Sequence, residues 1–207
     1  MIKTILFDMG GVLFQIDTDQ AKRRFEALGV DSERYLDAYE QRGIFLDLES
    51  GAIGDEEFVS RLSDMVGHPV SKEEARHAWL GYVKEISLDR LNKISDLRPR
   101  YRTCLASNTN PFMMEFTESA EFSGDGHGIG HYLNHLYCSY RMGVCKPSAE
   151  FFNKILEAEG IEPDEVLFVD DSKRNIEAAA RLGINTLWVD SDKDWLPELK
   201  AKLAQLD

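Results

Sequence analysis

Lys3-Thr4-Ile5-Leu6-Phe7-Asp8-Met9-Gly10-Gly11-Val12 carries the chain from an apolar run, through a carboxylate, into a paired-glycine turn. The run is short and apolar, as a buried strand of a parallel sheet is. A carboxylate placed where such a strand breaks into a glycine turn is set to act as a nucleophile or a metal ligand. On its own, an aspartate there can equally cap a helix.

Four more runs share this character, at residues 102–106, 135–139, 166–169 and 185–189. Helical periodicity separates most of them, for example at 149–159 and 174–182, with Gly160 and Gly183 as stops. Strands alternating with helices predict an α/β fold, a doubly wound parallel sheet of Rossmann-like form. Ligands of such sheets sit beyond the carboxyl ends of the strands. Asp8, Ser107 and the pair Asp170-Asp171 each follow a predicted strand, so three separate segments bring polar groups to one rim.

Between residues 17 and 88 the pattern is helical throughout, with amphipathic stretches at 19–28, 32–41, 55–65 and 72–83 and no predicted strand. Asp55-Glu56-Glu57 and Ser71 mark two of the starts. This divides the chain into a core, residues 1–15 and 89–207, and an inserted all-helical cap, residues 16–88. Residues 195–205 read as a plain terminal helix with Asp194 before it.

The 207 residues are 43% hydrophobic and 29% charged, an ordinary globular balance, and the formal net charge is −13. That charge argues against nucleic acid or an anionic membrane as partner, and an anionic substrate would need local positive charge. Cys104, Cys138 and Cys145 have no close metal spacing and leave an odd thiol if two pair, which predicts a reducing compartment. The first seven residues are too short before Asp8 for a signal peptide, and no apolar run approaches the roughly 20 residues a membrane span needs. A cytoplasmic protein is expected.

The rim residues carry the chemistry. Ser107-Asn108-Thr109-Asn110 can offer a hydroxyl and backbone N–H groups to an anion, and Lys146-Pro147 a fixed positive charge. Asp170 and Asp171 would repel each other after a buried strand, a cost that solvent absorbs or a divalent cation removes.

The order Phe7-Asp8-Met9-Gly10-Gly11-Val12, Ser107-Asn108, Lys146-Pro147, Val169-Asp170-Asp171-Ser172 resembles the four motifs of the haloacid dehalogenase-like (HAD) hydrolase superfamily. The resemblance spans nearly the whole chain, the inserted cap included. Within the superfamily the chain looks most like the bacterial α-D-glucose-1-phosphate phosphatase type, through the aspartate-x-glycine opening, residues 105–110, 140–151 and 167–178.

This resemblance implies a Mg²⁺-dependent phosphatase acting on a small phosphorylated metabolite, such as glucose 1-phosphate. Asp8 would be the nucleophile, forming an aspartyl-phosphate. Asp8, the Gly10 carbonyl and Asp171 would bind Mg²⁺, with Asp170 supporting directly or through water. Ser107 and the Asn108 N–H would hold the phosphoryl oxygens, and Lys146 would neutralise charge. Most phosphatases of the superfamily carry an aspartate acid–base where this chain has Gly10. Asp17, at the cap hinge, and Glu49 are the candidates to replace it. Alternatively the leaving group needs less help, or hydrolysis is vestigial, leaving a phosphate-ester-binding regulatory protein. A metal-independent haloacid dehalogenase is the other rival. The segment 123–131, with its glycines and histidines, is read as a flexible surface loop rather than a metal site, and Phe45 and Trp79 as cap core, the alternative being that Arg42-Gly43-Ile44-Phe45 and Trp79 line the cap face and touch substrate.

Overall fold

The structure, a computed structural model, describes residues 1–206. Among these the strands are, in chain order, β1 (Thr4–Phe7), β2 (Phe14–Ile16), β3 (Val83–Ile86), β4 (Arg102–Ser107), β5 (His135–Cys138), β6 (Val166–Asp170) and β7 (Asn185–Trp188). Five of them form one sheet, ordered β5-β4-β1-β6-β7, with every pairing parallel. β1 therefore sits at the centre, where the order reverses.

The apolar runs are continuous because both faces of the sheet are covered. Ile5, Phe7, Leu105, Leu167 and Val169 point into one buried cluster, and Leu6, Cys104, Ala106 and Phe168 into another on the opposite face. The helices are α1 (Thr18–Ala27), α2 (Ser32–Tyr35), α3 (Ile44–Glu49), α4 (Asp55–Val66), α5 (Lys72–Trp79), α6 (Leu88–Ser95), α7 (Pro111–Thr117), α8 (Ser139–Met142), α9 (Ala149–Glu159), α10 (Lys173–Arg181) and α11 (Leu196–Leu206). α9 and α10 cover the second face through Phe151, Phe152, Ile155 and Ala179. α6 and α11 contribute Leu91, Ile94, Leu199 and Leu203 to the first.

The helices α1 to α5 are inserted between β2 and β3, which pair with each other as an antiparallel ribbon. Inside the insert, Phe25, Phe45, Phe58 and Trp79 pack edge-on or tilted, with ring centroids 5.1–6.0 Å apart. Phe58 also meets Phe112 of α7 at 5.8 Å, so insert and core share one apolar cluster.

Two expectations need correction. The segment 17–88 is not free of strand, since β3 occupies Val83–Ile86. It escaped detection because Lys84 and Glu85 are both exposed, so the strand shows no apolar alternation. The helix expected at 32–41 ends at Tyr35. Beyond Leu36 the chain is a loop, closed by the Gln41 side chain, whose amide donates to the Asp37 carbonyl at 2.9 Å. No helix is long and apolar enough to cross a membrane.

Candidate active site

Three parallel strands end side by side and deliver their last polar residues to one edge: Asp8 after β1, Ser107 at the end of β4, and Asp170-Asp171 from β6. Asp8 continues the ladder, its backbone N–H donating to the Val169 carbonyl at 2.9 Å. Lys146 arrives from the loop before α9. Its Nζ lies 2.8 Å from Asp8 Oδ1 and 2.7 Å from Asp170 Oδ2, with the side chain almost wholly buried.

The lysine is held from behind. Asn108 spans the 38-residue separation with both ends of its side-chain amide, accepting the Lys146 N–H at 2.8 Å and donating to the Lys146 carbonyl at 2.9 Å. Asp170, fully buried, also accepts the Ser172 N–H at 2.7 Å and the Asn175 amide. This pattern engages both oxygens of Asp170, making it a support rather than an open ligand.

Burial opposes the Lys146 charge, yet Asp170 and Asp8 together raise its pKa above the ordinary lysine value. The carboxylates respond in the opposite sense. Burial pushes Asp170 up to about 6, against the pull of Lys146. Burial, then the charges of Asp8 and Asp170, push Asp171 up to about 8. Asp8, Asp170 and Asp171 each place an oxygen within 4.8 Å of the others. Three carboxylates thus face a single ammonium. An all-oxygen donor set with excess negative charge fits a hard divalent cation such as Mg²⁺.

The fit gives a thermal prediction. In the metal-free fold Asp171 stays protonated to about pH 8, whereas an unfolded aspartate ionises near pH ~4. Its raised pKa favours the folded state at low pH, and that preference is lost as pH rises through about 8. A bound cation removes the penalty. Mg²⁺ should therefore raise Tm more at about pH 8.5 than at about pH 6, and an equal or reversed increment in differential scanning calorimetry would contradict the site.

Gly11 makes room for this arrangement. Its φ is +75°, and a Cβ there would stand 2.1 Å from Asp171 Oδ2. Gly10 lines the same cavity, and a Cβ on it would meet Ile16 Cγ2 at 3.0 Å. The cavity, about 710 Å³ including its mouth, is walled on the core side by Asp8, Ser107, Asn108, Lys146 and Asp171. The insert contributes Tyr39, Gln41, Glu49, Trp79 and Tyr82. None of these insert residues except Glu49 and Trp79 carried a signal in the sequence. Tyr39 and Gln41 sit in the loop that replaced the expected helix.

Asp17 is placed differently. It caps α1, its carboxylate accepting the Gln20 N–H at 2.8 Å, and it is not among the residues lining the cavity. Asp17→Ala should lower stability by about 0.5–2 kcal/mol, the usual value of an N-cap, and change kcat little. Urea denaturation and steady-state kinetics on one variant check both halves. The glycine–histidine segment is ordered around Asp125, which accepts from Ser123, His127 and both ways from Tyr132 at 2.9 Å. It belongs to no metal-ligand cluster among the described residues. Phe45 and Trp79 are buried in the insert as expected, though Trp79 also reaches the cavity wall.

A central strand that ends in a carboxylate at the reversal point of a parallel sheet defines an α/β enzyme core with its site on the carboxyl edge. The chain belongs to the haloacid dehalogenase-like hydrolase family, whose model matches residues 2–183. It is 42% identical over 200 residues to a D-ribitol-5-phosphate phosphatase of Bacteroides thetaiotaomicron, covering 96% of this chain and 97% of the relative. Among solved structures, a HAD-like family hydrolase from Porphyromonas gingivalis superposes with a TM-score of 0.93 at 38% identity, covering 98% of each chain. A HAD-family enzyme from Bacteroides thetaiotaomicron, in complex with magnesium and inorganic phosphate, superposes at 0.83 with 31% identity, covering 94% of this chain and 98% of that one.

Proposed function

We propose that this hydrolase is a Mg²⁺-dependent phosphatase of small sugar or polyol phosphates, working through an aspartyl-phosphate on Asp8. The observation that carries the reading is the buried Lys146 bridging Asp8 and Asp170, with Asp171 left without a cation beside them. A dehalogenase has no use for that surplus of carboxylate, whereas a cation and a phosphoryl group would balance it. The phosphatase named among the relatives, and the neighbour holding magnesium and phosphate, support the same ligands.

In this reading a free oxygen of Asp8 attacks phosphorus while the ester oxygen departs on the opposite side. Lys146 fixes the attacking carboxylate and offsets its charge as the two anions approach. The Ser107 hydroxyl and Asn108 N–H donate to the phosphoryl oxygens. Water then cleaves the aspartyl-phosphate, releasing inorganic phosphate and restoring Asp8. Asp8, the Gly10 carbonyl and Asp171, backed by Asp170, would hold Mg²⁺, whose charge offsets that of the transferring group when bound.

A polyhydroxylated leaving group suits the cavity wall. The Trp79 indole N–H, the Thr109 hydroxyl and the Asn110 amide nitrogen have no hydrogen-bond partner among the described residues, and all three residues line the cavity. D-ribitol 5-phosphate is favoured by the 42%-identical relative. α-D-glucose 1-phosphate is the second candidate, because an anomeric oxygen leaves with less acid assistance and Gly10 supplies none.

Phosphate release from a panel containing both esters, with Mg²⁺ and then with EDTA, tests the proposal. The expected result is turnover on at least one sugar or polyol phosphate, lost in EDTA and regained with Mg²⁺. Turnover indifferent to EDTA, or none on any ester, would overturn it.

A further inference from the structure

We propose that Glu49, carried by the inserted helices, is the proton donor and acceptor of the reaction, in the role that Gly10 leaves empty. The assignment rests on the phosphatase reading above. Glu49 ends α3 and lines the cavity that also holds Asp8, Lys146 and Asp171, and it is the insert's carboxylate in that wall.

The residue is 8% exposed, and its side chain has neither an ion pair nor a hydrogen bond among the described residues. Its carboxylate oxygens are not among the sealed, unpartnered polar atoms, so they keep access to the cavity that Glu49 lines. A carboxyl this nearly withdrawn from water with no protein partner is costly, and such groups persist where they serve a ligand. The Lys146 ammonium, whose charge reaches Glu49, is already committed to Asp8 and Asp170. Burial, then the charge of Asp8, raise the Glu49 pKa to about 8 while Lys146 opposes them, so the group carries a proton near neutral pH.

The backbone around Glu49 is bolted to the core. The Ser139 hydroxyl donates to the Glu49 carbonyl at 2.6 Å and accepts the Thr109 N–H at 2.9 Å. Thr109 lies two residues beyond Ser107, so one buried hydroxyl ties the backbone that carries the insert's carboxylate to the loop expected to hold phosphate. Gly51, two residues on, has φ +73°, and a Cβ there would stand 2.2 Å from the Tyr140 carbonyl oxygen. Only glycine lets the turn dock this closely. At position 10, by contrast, a Cβ would meet only the Ile16 Cγ2 methyl at 3.0 Å, a contact that a shift of a few tenths of an ångström would relieve.

The step balances. The Asp8–phosphorus bond forms as the bond from phosphorus to the ester oxygen breaks, and the Glu49 proton passes to that oxygen, giving a neutral alcohol. In the second half the Glu49 carboxylate takes a proton from the water attacking phosphorus, and the Asp8–phosphorus bond breaks. Glu49 ends protonated, as it began.

Glu49→Gln tests this through leaving-group dependence. An alkyl phosphate needs the proton, whereas 4-nitrophenyl phosphate expels a stable phenolate without one. The quantity to compare is kcat/KM, which reports events up to departure of the leaving group. We expect it to fall by about 10²–10⁴-fold on the best alkyl ester. On the aryl ester it should fall less than about tenfold, with a burst of 4-nitrophenol. An equal fall on both esters, or no fall on either, overturns the assignment. Ser139→Ala, which loosens the bolt and keeps the carboxyl, should show the same selective loss in milder form; equal losses there also count against it. Wild-type hydrolysis of 4-nitrophenyl phosphate that vanishes in Asp8→Asn checks the underlying reading separately. Its absence would overturn that reading and the role of Glu49 with it.

Discussion

Asp8→Asn is expected to bring phosphate release down to background on every ester the wild type hydrolyses. The amide is isosteric with the carboxylate and keeps an oxygen for the Met9 N–H, which donates to Asp8 Oδ1 at 2.7 Å. The fold is therefore expected to survive: Asp8 is partly exposed, and the ladder bond from its backbone to Val169 does not involve the side chain. What disappears is the anionic oxygen that attacks phosphorus, and with it one of the three carboxylates grouped for the cation. Unlike loss of an acid or base, loss of the nucleophile leaves no slower version of the same route. Malachite-green detection over long incubations measures this, and a residual rate within about tenfold of wild type, well inside the usual acid–base range, would remove Asp8 from the role.

Lys146→Ala is the second large effect. Its ammonium offsets the charges of Asp8 and Asp170 at 2.8 and 2.7 Å in a buried setting, where each such contact is worth far more than in water. Removing one preorganised charge of this kind typically lowers kcat by about 10²–10³-fold. There is a structural consequence as well. Asp170, fully buried, would lose its one cation among the described residues and be left with the Ser172 N–H and the Asn175 amide. Its pKa, already about 6, would climb further, so the variant should bind a proton there near neutral pH. Lowered kcat with far-UV circular dichroism intact is the expected pair of results, and near-wild-type turnover would contradict the role.

The core was legible because each central strand is apolar on both faces and ends at a polar residue. That pattern marks Asp8, Ser107, Asp170 and Asp171 within the sequence itself. Lys146 was legible by motif, but the Asn108 clamp that aims it was not, since a contact across 38 residues leaves no local trace. Asp17 misled for a physical reason: a carboxylate before a helix reads the same whether it caps the helix or serves catalysis, and here it caps α1. The insert side of the cavity was the least legible. Tyr39 and Gln41 come from a loop whose shape depends on the Gln41–Asp37 contacts, and Tyr82 precedes a strand with no alternation to announce it. Glu49 showed only as a carboxylate in an expected turn, and what singles it out is its burial and the Ser139 contact from 90 residues away.

Trapping the covalent intermediate tests the central claim most directly. The protein is mixed with Mg²⁺ and its best ester, quenched during turnover with borohydride, and digested for mass spectrometry. Borohydride reduces an acyl phosphate to the alcohol, so the account predicts homoserine at position 8, dependent on substrate and on Mg²⁺. A pre-steady-state burst of leaving group with residue 8 unmodified, or with the label on another side chain, would contradict it.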